Sequence, residues 1–497
     1  MLAQLTTLSR RVGLRCFNVL KCWVEELAMW HETYLKAVLR PDYVYASEHL
    51  LPHLFDALTA HSLMLDTCGV AHAGKAAELL RQLRREPFPE YDPRVEDVFF
   101  TIDQALAARD AAAAGALRTA LSRNDLDMTI YRLSARQRLM RAMARVLGLR
   151  QVLLDLSGQE IETVIVAYTH HQPAQPTTLA HYLTAVENNL ARDTDRFFGS
   201  LSRLNLSPMG AVALGGTSFP INRDTTARLL GFDRPVENTY DAVSASDWQV
   251  ELASVITIMS TTLSRTLHDL LFWASRGLIV LEDGLVQGSS VMPQKRNPVA
   301  LEHARTKFSK AIGGAQSVIL SSHNVPFGDI NDPGPDMQPP LNSMWQDFRE
   351  GVELLSASLC HPTINRAKWL REAKRGESPV TELADAITRK TGCGFRDAHA
   401  LVKNLLDDLH DRDRTVDTLT LADLQRIGVN MSETELATAL NPSDFIARRT
   451  TFGGPAPSVM REEIAAAVAR LRQDTARHEQ LTRHFVAARQ HLEGGSA

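Results

Sequence analysis

The densest chemistry in this chain lies at Gly288-Ser289-Ser290-Val291-Met292-Pro293-Gln294-Lys295-Arg296-Asn297-Pro298, just after the flexible Glu282-Asp283-Gly284. A glycine followed by two small hydroxyl residues lets backbone N–H groups face an anion, and Lys295 adds a positive charge beside them. Asn297 supplies further donors. A serine hydroxyl in such surroundings loses its proton more readily, because donors and a cation stabilise the alkoxide. A turn capping the helix after Pro298 would explain the first three residues alone. It does not explain the mixed string that follows them.

Two shorter segments could join it. In Ser122-Arg123-Asn124-Asp125 the arginine offers a planar fork suited to a carboxylate, although Ser and Asn ahead of a helix also read as an N-cap. In Tyr168-Thr169-His170-His171-Gln172-Pro173-Ala174-Gln175-Pro176, a histidine able to act as acid, base or donor near neutral pH sits at an expected helix–loop junction. Adjacent histidines do not share a helical face, and no third ligand lies at metal spacing, so a metal site is set aside.

The elements that must position these segments are helices. Apolar residues recur at helical spacing over 125–156, 179–204, 247–278, 302–322 and 338–359, and five such runs in succession imply an all-α bundle. Glycine and proline collect between them at 207–220, 284–298 and 325–340, where loops on a rigid scaffold carry function. Ahead of the bundle, 42–85 reads as helix-turn-helix, followed by a proline-rich break at 87–93. Behind it, 378–426 and 432–472 form a smaller helical unit. Three units follow: an N-terminal one over 1–115, a central bundle over 116–366 and a small C-terminal one over 367–497.

Of the 497 residues 44% are hydrophobic, and the net charge of −4 gives no field that would draw nucleic acid or a membrane surface. Basic character must therefore be local. No apolar run reaches membrane-spanning length. The five cysteines, Cys16, Cys22, Cys68, Cys360 and Cys393, form no CxxC pair, which favours a reducing, cytoplasmic setting. The first 24 residues carry Arg10, Arg11, Arg15 and Lys21 and no acid. That composition fits a transit peptide, but arginine-rich usage throughout the chain favours an N-terminal helix or an over-extended start.

Together the three segments resemble the aspartase/fumarase superfamily, and specifically its argininosuccinate lyase branch. The superfamily loop GSSxMPxKxN is matched in full by Gly288 to Asn297, with Gln294 in the form typical of the branch. The SRND segment is present at Ser122 to Asp125, and the threonine-histidine segment ahead of an AQP run at Thr169 to Pro176. Gly453-Gly454-Pro455-Ala456-Pro457 matches the branch's GGTAP with one change. The resemblance covers about residues 40–470.

It implies a three-domain helical fold, a homotetramer whose sites take residues from three subunits, no metal or organic cofactor, and release of fumarate from an N-substituted aspartate, a small dicarboxylate. Ser289 would remove the proton beside the distal carboxylate, and Lys295 and Asn297 would stabilise the resulting aci-carboxylate. His170 would be hydrogen-bonded to Glu302. Ser122, Arg123, Asn124 and Thr169 would hold the carboxylates of the fumaryl part, with Asp97, Ser290 and Met292 also against the substrate. Preorganised cationic donors suit an elimination that builds negative charge in its transition state, and a glycine-rich loop can close over it.

The chain departs from the branch on one half of the site. Val38 stands where the branch has a substrate-contacting serine, while Asp42 keeps the nearby aspartate. Glu96-Asp97-Val98-Phe99 lacks the branch's histidine. Pro326, Asn331 and Gly334 replace its tyrosine, glutamine and lysine, Ser244-Ala245-Ser246-Asp247 lacks its arginine, and Leu121 replaces the arginine before SRND. No lysine occurs between Lys310 and Lys368. A lysine that pairs with a carboxylate cannot become glycine without leaving a charge unmatched. The leaving amine is thus expected not to be arginine, a diamine disuccinate being one candidate.

Argininosuccinate lyase itself is the first rival. Adenylosuccinate or carboxymuconate chemistry is disfavoured by the intact SRND and Gln294. A non-catalytic relative, as in the lens crystallins of this family, is disfavoured by Ser289, Lys295, His170 and Glu302.

Overall fold

The computed structural model describes residues 30–494. The basic N-terminal stretch lies outside the described residues. The chain is mostly helical, with six short strands among the described residues, in three two-stranded pairs.

Helices α1 (Arg40–His49), α2 (Leu51–Thr67) and α3 (Val98–Arg109) precede the bundle. The bundle consists of α4 (Arg123–Gln159), α5 (Leu179–Leu204), α6 (Asp247–Ser275), α7 (Val299–Ser321) and α8 (Gln338–Cys360). Capping fixes several starts. Ser122 and Asp125 form a capping box at α4, and the Thr178 side chain accepts from His181 N at α5. Small residues allow close helix packing between α7 and α8. A Cβ on Gly351 would lie 2.9 Å from the Phe308 ring, and one on Gly314 would lie 3.1 Å from the Met344 Cβ.

One continuous apolar core runs from Tyr43 through the bundle to Leu471. A smaller, separate core joins residues between Val380 and Ala439, built on α9 (Val380–Thr391) and α10 (Phe395–Asp411). The expected 367–497 unit therefore divides. Its last helix, α11 (Pro457–Leu492), packs on α4 and α5 through Ala467 and Leu471. A buried ion network ties it down. Arg150 and Glu187 are fully buried and 2.9 Å apart, Arg150 also reaches Asp474 at 2.7 Å, and Arg470 reaches Glu187 at 3.0 Å. Such charges are tolerated inside because each finds several partners.

Between α4 and α5 the chain forms an antiparallel hairpin, β1 (Val164–Thr169) with β2 (Gln172–Thr178). β3 (Leu206–Ser207) pairs with β4 (Arg234–Pro235), and β5 (Ile279–Val280) pairs with β6 (Thr363–Ile364).

Candidate active site

The 288–297 loop sits at the end of the bundle where α4 finishes. Glu160, just past α4, accepts from Arg366 Nε at 2.9 Å; Arg366 follows β6, and its partner β5 leads into the loop. A two-bond clasp closes the loop: Gln287 N donates to Asn297 O at 3.0 Å and Asn297 N to Gln287 O at 2.8 Å. Arg296 stays exposed and folds back on the segment before the loop, donating to Asp283 at 2.5 Å and to Leu281 O at 3.1 Å. Its neighbour Lys295 is exposed and pairs with no carboxylate among the described residues. Ser289 Oγ accepts from Val291 N at 3.2 Å and Met292 N at 3.0 Å. Two backbone donors on one hydroxyl oxygen favour its charged form. Ser290 and Met292 are exposed beside it.

The hairpin tip lies at the same end, where Tyr168 packs edge-on against Phe272 near the finish of α6. His170 and His171 form its two-residue turn, between the paired Thr169 and Gln172, with φ of +52° and +61°. Left-handed backbone at both central residues is the geometry that asparagine-glycine turns normally supply. The helix–loop junction expected here is corrected to a hairpin tip, because β-branched Val164, Ile165 and Val166 pair with Thr178, Thr177 and Pro176. Thr169 and His170 are exposed. Glu302 is exposed in the first turn of α7, and within one chain it makes no hydrogen bond to His170.

The SRND residues begin α4 at the opposite end and divide their tasks. Ser122 Oγ accepts from Asn124 N at 3.3 Å and donates to Asn124 Oδ1 at 2.7 Å. Asp125 is buried and accepts from Gly210 N at 2.7 Å and Ser122 N at 3.3 Å, which welds the helix start to the 207–212 loop. Burial pushes its carboxyl up to about 6 although backbone N–H groups oppose the rise. Arg123 meets Asp97, with Asp127 at 3.2 Å and Glu96 at 3.8 Å. Burial works against its charge, but Asp127, Asp97 and Glu96 outweigh it and hold the guanidinium pKa up.

Arg123 lies on a cavity of about 230 Å³ lined also by Val38, Asp42, Asp97, Phe99, Asn331 and Asp336. Residues expected on two separate halves of the site thus share one pocket. Burial, helped by Asp336, pushes Asp42 up to about 6. Asp127 also rises to about 6, by burial first, with Arg123 opposing and Asp97 and Asp329 reinforcing. Asp127 and Asp336 were not anticipated from sequence. Asp127 had a signal, since it lies one helical turn after Arg123.

Helix α4 has 37 residues, so about 55 Å separates its ends. A single chain therefore brings Ser289, Lys295, Asn297, Thr169, His170 and Glu302 to one end and Ser122, Arg123, Asn124 and Asp97 to the other.

A lyase family model matches residues 93–313, and an argininosuccinate lyase C-terminal model matches 377–447. Argininosuccinate lyase 2 of Agrobacterium fabrum is 35% identical over 470 residues, covering 91% of this chain and 93% of that one. Argininosuccinate lyase of Halorhodospira halophila is 34% identical over 421 residues, covering 83% and 90%. Among solved structures, EDDS lyase in complex with formate superposes with a TM-score of 0.84 at 27% identity, over 90% of this chain and 91% of that one. The 3-carboxy-cis,cis-muconate lactonizing enzyme of Pseudomonas putida shares the fold, with a TM-score of 0.71 at 18% identity over 89% of this chain and 100% of that one. Bundle, loop and relatives together define a lyase. The chain belongs to the argininosuccinate lyase-like group of the fumarate lyase superfamily, whose reaction here is carbon–nitrogen bond elimination.

Proposed function

We propose that this lyase releases fumarate from an N-succinyl amine whose leaving group is not arginine but an amine carrying a second positive charge, such as a diamine. The observation that carries the reading is the charge of the Arg123 pocket. Asp42, Glu96, Asp97 and Asp336 line it, Asp127 adds a fifth carboxylate, and its one cation among the described residues, Arg123, is already engaged by Asp97 and Asp127. A departing arginine would bring a carboxylate into this pocket, with no lysine to meet it. A departing diamine would bring an ammonium among carboxylates.

Ser289 takes the Cβ proton, the C–N electron pair leaves with nitrogen, and Lys295 and Asn297 carry the charge that builds on the neighbouring carboxylate. Ser290 and Met292 close around the fumaryl part. Thr169, Ser122 and Asn124 grip its carboxylates, while Arg123, held by Asp97 and Asp127, shapes the amine pocket, and Glu302 orients His170. Because these groups occupy opposite ends of one chain, each site is assembled from neighbouring subunits of a homotetramer.

The curated relatives named argininosuccinate lyase favour a second reading, in which arginine is the leaving group. One assay separates the two. Purified protein is incubated with argininosuccinate, and in the reverse direction with fumarate and a panel of diamines and amino acids. Saturable adduct formation with a diamine supports the proposal; fast, saturable cleavage of argininosuccinate overturns it.

A further inference from the structure

Midway along α4, away from both ends, a second cavity of about 440 Å³ opens between α1, α2, α4, α8 and the last turns of α11. It shares no lining residue with the Arg123 pocket. Its walls carry Arg138, Arg141, Arg349 and Arg489, against Glu48 as the one carboxylate lining it among the described residues. This local excess runs against a chain whose net charge is −4.

Two of these four guanidinium groups have no carboxylate partner among the described residues, and a third is only loosely held. Among the described residues, Arg138 and Arg141 have no carboxylate at ion-pairing distance; Arg138 donates to the Tyr45 hydroxyl at 3.0 Å. Arg349 Nε is buried without a hydrogen-bond partner, its nearest carboxylate being Glu353 at 3.8 Å. Arg489 is the closely partnered one, with Glu493 at 3.1 Å and Asp56 at 3.8 Å. Trp345 also lines the cavity. It is only 4% exposed, and its indole N–H has no acceptor among the described residues. A buried indole N–H normally has one. His53 on the same wall reports the field: burial first, then Arg489, Arg136, Arg138 and Arg84, push its pKa down to about 3.

We propose that this cavity binds a small multivalent oxyanion, a polycarboxylate or a phosphate, through Arg138, Arg141, Arg349 and the Trp345 indole N–H. Guanidinium forks match the paired oxygens of both chemistries, and an anion here would supply the missing acceptor. The site is separate from the elimination site and does not depend on which amine leaves.

The test is titration of the full chain with citrate and, separately, with inorganic phosphate, followed by calorimetry and tryptophan fluorescence. One saturable site per chain is expected, and the tighter of the two anions identifies the source. Arg141→Ala/Arg349→Ala is expected to weaken binding at least tenfold. Trp345→Phe keeps the ring and removes only the N–H, and is expected to weaken binding about threefold with an unchanged melting temperature. If the double variant does not fold, Trp345→Phe decides alone. Equal affinity in wild type and variants would assign any bound anion elsewhere and overturn the proposal, as would no saturable binding up to about 10 mM.

Discussion

At one end of the bundle Lys295 meets no carboxylate among the described residues and Ser289 holds two backbone donors, whereas at the other end Arg123 is ringed by Asp97, Asp127 and Glu96. At the first end the loop is largely exposed and Lys295 is left without a carboxylate partner among the described residues, so on the proposed function an incoming carboxylate completes it. The second is half-buried and holds more acid than base, and burial first, with neighbouring acids reinforcing, pushes Asp42 and Asp127 up to about 6. On the proposed function, the contrast separates two tasks that one active site must combine: stabilising the charge that develops during elimination, and choosing which amine leaves.

Removing the base should produce the largest effect. Ser289→Ala is expected to lower kcat by about a thousandfold or more, within the range that general bases supply, with little change in melting temperature because the loop is exposed. Steady-state assay beside a thermal melt checks both. Lys295→Met comes next, at about a hundredfold to a thousandfold in kcat, as for other donors aimed at developing charge. An effect on KM alone would mean that Lys295 only binds, and the contrast between the two ends would fail.

Asp42→Asn should act in the opposite sense, raising KM for a diamine-derived substrate about fivefold with kcat within about twofold, equivalent to about 1 kcal/mol for a partly screened charge pair. The same variant tests the pocket's electrostatics without substrate. The Asp42 carboxyl is raised from 3.8 to about 6, so the folded chain keeps a proton that the unfolded chain has lost between those values. The contribution of Asp42 to wild-type stability therefore falls as pH rises from about 4 to 6. Asp42→Asn should be the more stable protein above pH 6, by about 1 kcal/mol after discounting for its partial exposure, and equal to wild type below pH 4. Melting curves at pH 4 and pH 8 check the sign.

The smallest effect belongs to the hairpin tip. His171→Gly should stabilise the fold by about 0.5–1 kcal/mol, by relieving left-handed backbone at a residue with a Cβ; denaturant melts read this directly.

Much of the scaffold was legible because its signals are local. The run at 179–204 coincides with α5, whose start Thr178 caps, and the α6 and α8 starts also agree. The hairpin was hidden because its turn carries two histidines where glycine or asparagine would announce it. Helix α11 outran the expected end near residue 472 because, past Leu471, Leu492 is its only buried residue, so the apolar rhythm fades while the helix continues. The loop string of the candidate site was legible as a contiguous motif. The acidity of the Arg123 pocket was not, since Asp42, Asp97, Asp127 and Asp336 come from four distant stretches that only folding brings together.

The paired hydrogen bonds between Gln287 and Asn297 have a mechanical consequence. Everything from 288 to 296 hangs outside them as a bight, while the helices behind are gripped by buried apolar packing. Excursions of the bight and melting of the bundle therefore belong to separate energy scales. Amides of the bight should exchange with solvent at rates that stay nearly flat when the bundle is strengthened, so this lyase can be made more heat-resistant without stiffening the segment that carries Ser289.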